Sequence, residues 1–225
     1  MAAGLCPAAA VCAGLGTTLD RARLPAELLI VRGDLQRLIS PRSLSSAEVT
    51  GLEGRIESAL TGLEWLALEY ATLTKSQVDQ TLLQNLNRSW AQRNLLSAQA
   101  LVSQLARMYP LNGTIFSAQR ATADDIRRVR ELDLRLCKGR HTDKVGTEKI
   151  LPAYRLREMV GNMPSEEFLA RLLSGVRGTS DTALANPLSL GDIRGLLRLY
   201  QEDTVDRPWL LIASRSTDQH AWAAA

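Results

Sequence analysis

Residues 49–73 read VTGLEGRIESALTGLEWLALEYATL, and their apolar side chains recur at alternating intervals of three and four. This spacing is typical of the a and d positions of a coiled coil or a bundle helix. Ser45 and Ser46 precede the repeat as candidate N-cap residues. The pattern therefore predicts a helix whose apolar face is formed by Val49, Leu52, Ile56, Ala59, Leu63, Leu66, Tyr70 and Leu73.

The same spacing fails after Leu73, where it reaches glutamines, and a second apolar stripe begins with Val78, Leu82, Leu86 and Trp90. Two interpretations fit. One continuous helix from about residue 47 to 108 could carry a face that rotates at this point. Alternatively, Thr74 and Gln77 form a capping box that starts a second helix of a hairpin. The continuous helix is favoured because neither Gly nor Pro occurs between residues 63 and 109.

Both stripes together form what we call the seam, an expected surface for interaction with other helices. Its members are Val49, Leu52, Ile56, Leu63, Leu66, Tyr70, Leu73, Leu82, Leu86 and Trp90.

Start and stop signals predict further helices on both sides of this region. They cover about residues 25–39, a helix opened by Thr122 and Asp125, and residues 147–160, 165–176 and 191–202. The expected fold is all-α, a long heptad-patterned helix or helical hairpin followed by a smaller helical bundle. The expected divisions are a flexible Ala/Gly-rich arm (1–24), a coiled-coil-like region (25–109), a C-terminal helical domain (110–213) and a mobile tail (214–225).

Composition argues against several functional classes. No run of 18 apolar residues predicts a membrane span, and three cysteines indicate a reducing, cytoplasmic setting. Two histidines cannot form a His/Cys metal site with these cysteines at the usual spacings. Phosphate-binding glycine loops do not occur. We therefore expect no cofactor, no metal and no enzymatic activity. The tripeptide Arg32-Gly33-Asp34 matches an adhesion motif only in letters, because it falls on a predicted helix.

An arginine-rich segment follows residue 126 and is the main polar feature of the sequence. Cations near the C-terminal end of a helix stabilise it against the helix dipole, which explains the segment without a ligand. The functional interpretation is a helix that binds nucleic-acid phosphates without reading bases. Its candidate residues are Arg127, Arg128, Arg130, Arg135, Lys138 and Arg140.

The sequence thus favours a structural or interaction protein, a helical subunit that oligomerises or joins a multiprotein assembly through its long amphipathic helix. Its expected partners are other protein chains, copies of itself or different ones. The alternative is a helical nucleoprotein or capsid-like protein that self-assembles and binds RNA or DNA through the arginine-rich helix.

Overall fold

The computed structural model of the chain describes residues 8–40, 44–137, 156, 160–161, 163–175 and 188–202. All regular structure in these ranges is helical, which confirms the all-α class. The helices are α1 (Ala8–Ile39), α2 (Ser46–Thr74), α3 (Gln80–Ala91), α4 (Leu95–Met108), α5 (Ala123–Leu132), α6 (Ser165–Ser174) and α7 (Leu190–Glu202). Two 3₁₀ turns, Gly113–Phe116 and Ala118–Arg120, precede α5, and a π-helical turn, Asp133–Cys137, follows it.

The prediction of one continuous helix over residues 47–108 is wrong, because this region forms three helices. Lys75 ends α2 in the left-handed conformation with φ 55°, and Arg93 adopts φ 56° between α3 and α4. These two non-glycine residues interrupt the helix without the Gly or Pro that usually signals a break. The bend after residue 74 is where the hairpin alternative placed it. However, Asp79 rather than Thr74 caps α3, by accepting a hydrogen bond from the Leu82 amide.

The second break, between α3 and α4, has a local signal that the apolar pattern obscured. Asn94 accepts a hydrogen bond from the backbone N–H of Ser97 and so caps α4. Across this short turn α3 packs against α4. Trp90 and Leu95 lie on opposite sides of the turn, so their spacing along the sequence does not describe one helical face.

The first helix is longer than predicted and occupies the centre of the fold. Residues 8–24 belong to α1 together with the predicted helix 25–39, and Ala22 and Leu24 are buried; the flexibility expected of an arm over residues 1–24 stays a prediction. α1 packs against α2, α4 and α6. Contact on several sides explains why Leu28, Val31 and Leu35 are all fully buried, as expected for a helix surrounded by others. Pro25 lies within this helix, not at its first turn.

The C-terminal predictions agree with the described residues. Thr122 and Asp125 form the predicted capping box of α5, and α6 and α7 lie where residues 165–176 and 191–202 predicted helices. The predicted helix 147–160 and tail 214–225 fall almost wholly outside the described residues. The domain boundary near residue 110 stays a prediction, although buried side chains from α1 to α7 form one cluster.

Candidate functional site

The predicted seam is used within the chain. Its central members Leu52, Ile56, Leu63 and Leu66 are buried on the face of α2 that packs against α1. On α3, Leu86 and Trp90 are buried too. The remaining seam members, Val49, Tyr70, Leu73 and Leu82, are half-buried. The heptad repeat thus coincides with the buried face of α2, and the role of the seam as a surface for a partner stays a prediction.

A second heptad stripe lies on the opposite, exposed side of α2. Its residues also recur at alternating intervals of four and three, and every one of them is exposed. We call this stripe the outer face; it consists of Gly54, Ser58, Thr61, Trp65, Leu68 and Thr72. Trp65 keeps 49% and Leu68 65% of its surface accessible. Sequence reasoning missed the stripe because half of its members are small, although its spacing was readable.

Trp65 is held in place by a residue of α1. The Arg23 guanidinium carbon lies 5.0 Å from the centroid of the indole ring, within the range of a cation–π interaction. An Nη1 atom of the same guanidinium is 3.3 Å from Oε2 of Glu69. Arg23 thus contacts both the aromatic ring and a carboxylate one turn further along α2, and these contacts favour one position of the ring.

The two threonines of the outer face have satisfied hydroxyl groups. Thr61 Oγ1 donates to the carbonyl of Glu57 at 2.9 Å, and Thr72 Oγ1 donates to that of Leu68 at 2.8 Å. Such bonds to the preceding turn are common for threonine in helices. Because the hydroxyls already have partners, covering these side chains leaves no donor without an acceptor. The outer face is therefore more apolar than its composition suggests.

A charged cluster built on two buried carboxylates joins α1, α2 and α6. Asp34 is fully buried and accepts hydrogen bonds from Arg55 Nε at 3.0 Å and from Arg171 Nη2 at 2.6 Å. Glu167, also buried, accepts from Arg37 Nη1 at 2.7 Å and from Arg171 Nη2 at 2.7 Å. Two buried carboxylates are thus neutralised by three guanidinium groups, and we call these five residues the arginine clamp.

The clamp fixes the ionisation of Asp34. Burial alone would raise the pKa of this carboxyl, but the hydrogen bond from Arg55 and the charge of Arg171 outweigh it and hold the pKa below its ordinary value of 3.8. Asp34 belongs to the Arg-Gly-Asp tripeptide. Since its carboxylate is buried and bound by arginines of this chain, that tripeptide cannot present it to a receptor, in agreement with the sequence analysis. The arginine clamp thus links α1, α2 and α6 to one another.

The arginine-rich helix has a mixed surface. Arg127 is highly exposed and pairs with Asp124 at 2.8 Å. Arg128 Nε lies 2.6 Å from Oδ1 of Asp192, so this arginine ties α5 to α7. Arg130 and Arg135 are exposed. Lys138 and Arg140 lie outside the described residues, so the structure describes only four of the six candidate residues.

Acidic side chains balance these arginines. Residues 123–137 contain four arginines and four carboxylates. A surface depression of about 320 Å³ on α5 is lined by Asp124, Asp125, Arg127, Arg128 and Glu131. Three carboxylates beside two guanidinium groups repel a phosphate more than they attract it. The described part of the segment therefore gives little support to phosphate binding.

The comparisons with known proteins assign no function to this chain. No family model, no curated protein and no solved structure matches this chain. Within the described ranges, no group of three or more His, Cys, Asp or Glu residues could hold a metal ion. None of the described helices combines the length and the apolar character that crossing a membrane requires. The outer face of α2 is the strongest candidate functional site that the described residues provide.

Proposed function

We propose that this chain is a structural or interaction protein that joins an assembly through the outer face of α2. The observation that carries the proposal is the exposure of Trp65 and Leu68 on one heptad-spaced face, 49% and 65% respectively. The sequence alone predicts this contact at the seam. The burial of the seam moves the proposed contact to the other side of the same helix.

Burying the apolar side chains of the outer face would stabilise a contact there. Fully burying a leucine or similar apolar side chain stabilises a complex by about 1.5–3 kcal/mol, and tryptophan is enriched among residues that dominate binding energy. Trp65 is already ordered by Arg23, so binding loses less side-chain entropy there. Clusters of large apolar side chains on a surface commonly mark interaction sites.

A site-specific photo-cross-linker tests the proposal. Placed at position 68, it should produce a covalent product with a second chain, in purified protein or in the cells that make it. The matched control is position 104, an exposed glutamine on α4. Trp65→Ala should remove the product from position 68. Equal yields at both positions, or a product that persists in Trp65→Ala, would contradict the proposal.

The nucleoprotein alternative rests on the exposure of Arg130 and Arg135. It requires RNA binding that weakens steeply as salt rises from about 50 to about 200 mM, because phosphate contacts release counterions. Replacing both arginines by glutamate should abolish such binding, whereas Arg88→Glu on α3 should not. Absence of binding at low salt would eliminate this alternative.

A further inference from the structure

Small and bulky side chains occupy different halves of the outer face of α2. Its first three positions, Gly54, Ser58 and Thr61, are small, and the bulky Trp65 and Leu68 lie in its second half. Position 63 is the midpoint of the outer face along the sequence. Thr61 and Trp65 lie two residues from it, Ser58 and Leu68 five, and Gly54 and Thr72 nine. Each of these pairs joins a smaller residue with a larger one.

We infer that the outer face is the two-fold interface of an antiparallel homodimer. A two-fold axis near position 63 places residues of each such pair opposite one another in the two copies. Trp65 then packs over Thr61 of the partner subunit, and Leu68 over Ser58 of the partner subunit. In antiparallel coiled coils an a position faces a d position, which this pairing satisfies in every layer. A symmetric dimer requires a self-complementary surface of this kind.

A parallel arrangement does not fit the same residues. It would place Trp65 against its own copy and Gly54 against its own copy. The interface would then be crowded at one end and open at the other, and both faults cost packing energy. The order of sizes therefore selects the antiparallel orientation.

Two glycines of α2 have no explanation within one copy. A Cβ atom added to Gly54 or Gly62 meets no atom within 4 Å. Gly175 is the only described glycine with positive φ, so neither glycine of α2 is required by its backbone conformation. Glycine destabilises a helix relative to alanine, so these positions weaken α2 without benefit to the monomer. Close approach of a second helix would supply the benefit. Gly62 lies on one flank of the outer face, next to the two-fold axis, and there it would face Gly62 of the partner subunit.

Charges on one flank of the outer face complement each other in the same orientation. Arg55 and Glu69 each lie seven residues from Gly62, on opposite sides of it. The antiparallel pairing brings Arg55 of each copy near Glu69 of the partner subunit, so opposite charges adjoin twice, while Arg55 keeps its bonds to Asp34 and Glu69 keeps its pair with Arg23. On the other flank Glu64 meets its own copy, the one unfavourable pair. Glu64→Gln should therefore tighten the dimer.

This inference rests on the proposed function and names its partner, a second copy of the chain. The outer face spans 18 residue steps, or about 27 Å of helix. A contact of this length falls at the small end of specific interfaces, and we expect a dissociation constant on the order of micromolar.

Disulfide trapping tests the orientation. In a background with Cys6, Cys12 and Cys137 replaced by serine, one chain carries Gly54→Cys and a differently tagged chain carries Thr72→Cys. The antiparallel dimer predicts a disulfide in the oxidised mixture and none in either chain alone, because like positions lie about 27 Å apart. A disulfide within each separate chain population, and none joining the two differently tagged chains in the mixture, would show a parallel dimer and overturn the inference.

Sedimentation of the wild-type chain tests the dimer itself. The mass should rise from 24.7 kDa towards twice that value as concentration increases. Leu68→Glu should weaken association by about tenfold or more, whereas Leu96→Glu, at a leucine of α4 that is 71% exposed, should leave it unchanged. Equal helix content by circular dichroism confirms that both variants fold.

The outcomes separate the two proposals. A chain that stays monomeric at all concentrations overturns the homodimer. If position 68 then still cross-links to a different protein in a Trp65-dependent manner, the proposed function survives with another partner. If position 68 cross-links to nothing, both proposals fail.

Discussion

Nη2 of Arg171 lies 2.6 Å from Oδ1 of Asp34, although 137 residues separate them in the sequence. Both side chains are largely or fully buried, Asp34 on α1 and Arg171 on α6. Arg55 of α2 completes the contact on the other carboxylate oxygen. The arginine clamp thus holds three helices together at one point.

Removing the central carboxylate should therefore destabilise the fold strongly. Asp34→Ala leaves Arg171 buried without this counter-ion, and breaking a buried pair in this way costs about 3–5 kcal/mol. Urea denaturation measures the loss. The control is Glu53→Ala, which removes the exposed ion pair with Arg93 and should cost less than about 1 kcal/mol. Similar losses in the two variants would show that the clamp contributes no more than a surface pair.

The clamp also predicts how stability responds to acid. Because the pKa of Asp34 is lower in the folded chain than its ordinary value of 3.8, its contribution is complete above that pH. It is lost as the pH falls from there through the folded pKa. Asp34→Asn should flatten this part of the curve of unfolding free energy against pH, whereas Asp124→Asn, at an exposed carboxylate, should retain it. An unchanged curve in Asp34→Asn would contradict the assignment.

The two heptad faces of α2 should respond differently to truncation. Leu63 is buried in the seam, so Leu63→Ala should lower the free energy of unfolding by about 2–5 kcal/mol. Leu68 lies on the outer face, so Leu68→Ala should change monomer stability by no more than about 0.5 kcal/mol. Thermal denaturation of dilute protein distinguishes them. The assignment of faces fails if Leu68→Ala is the more damaging change.

Gly33 should be intolerant of a side chain. A Cβ atom at this position would overlap the carboxyl group of Glu167, which is itself held by Arg37 and Arg171. Gly33→Ala should therefore displace Glu167 and cost about 1–3 kcal/mol. Gly54→Ala, where the added carbon meets no atom within 4 Å, should instead stabilise dilute protein by about 0.5–1 kcal/mol. Stabilisation by both substitutions would mean that Glu167 moves aside freely.

The contact between α7 and the π-helical turn gives a further expectation. The buried hydroxyl of Tyr200 donates to Oδ1 of Asp133 at 2.6 Å. Tyr200→Phe should cost about 1–3 kcal/mol, because it leaves a buried carboxylate oxygen without this donor. Asp133→Asn keeps an acceptor oxygen and should cost less. Chemical denaturation of the two variants measures both losses of stability. A larger loss in Asp133→Asn than in Tyr200→Phe would contradict the expectation.

Local signals in the sequence predicted much of the secondary structure. Thr122 and Asp125 form the capping box that their spacing indicated, and Ser45 caps α2 as expected. These features depend on residues three positions apart, so no distant part of the chain is needed to specify them. The break at Lys75 was predicted only by the hairpin alternative, and the break at Arg93 was missed. Left-handed conformations at non-glycine residues carry a local cost, and packing with distant helices offsets it.

The heptad repeat of residues 49–73 illustrates what the sequence can determine. Its period of three and four determined that α2 is a helix and that Leu52, Ile56, Leu63 and Leu66 share a buried face. A repeat cannot tell whether the covering helix belongs to the same chain, because apolar burial is non-directional. Only the tertiary structure decided that α1 of the same chain packs against α2, and this left Trp65 and Leu68 exposed on the outer face. The same holds for Asp34, whose role depends on arginines that folding brings from two other helices.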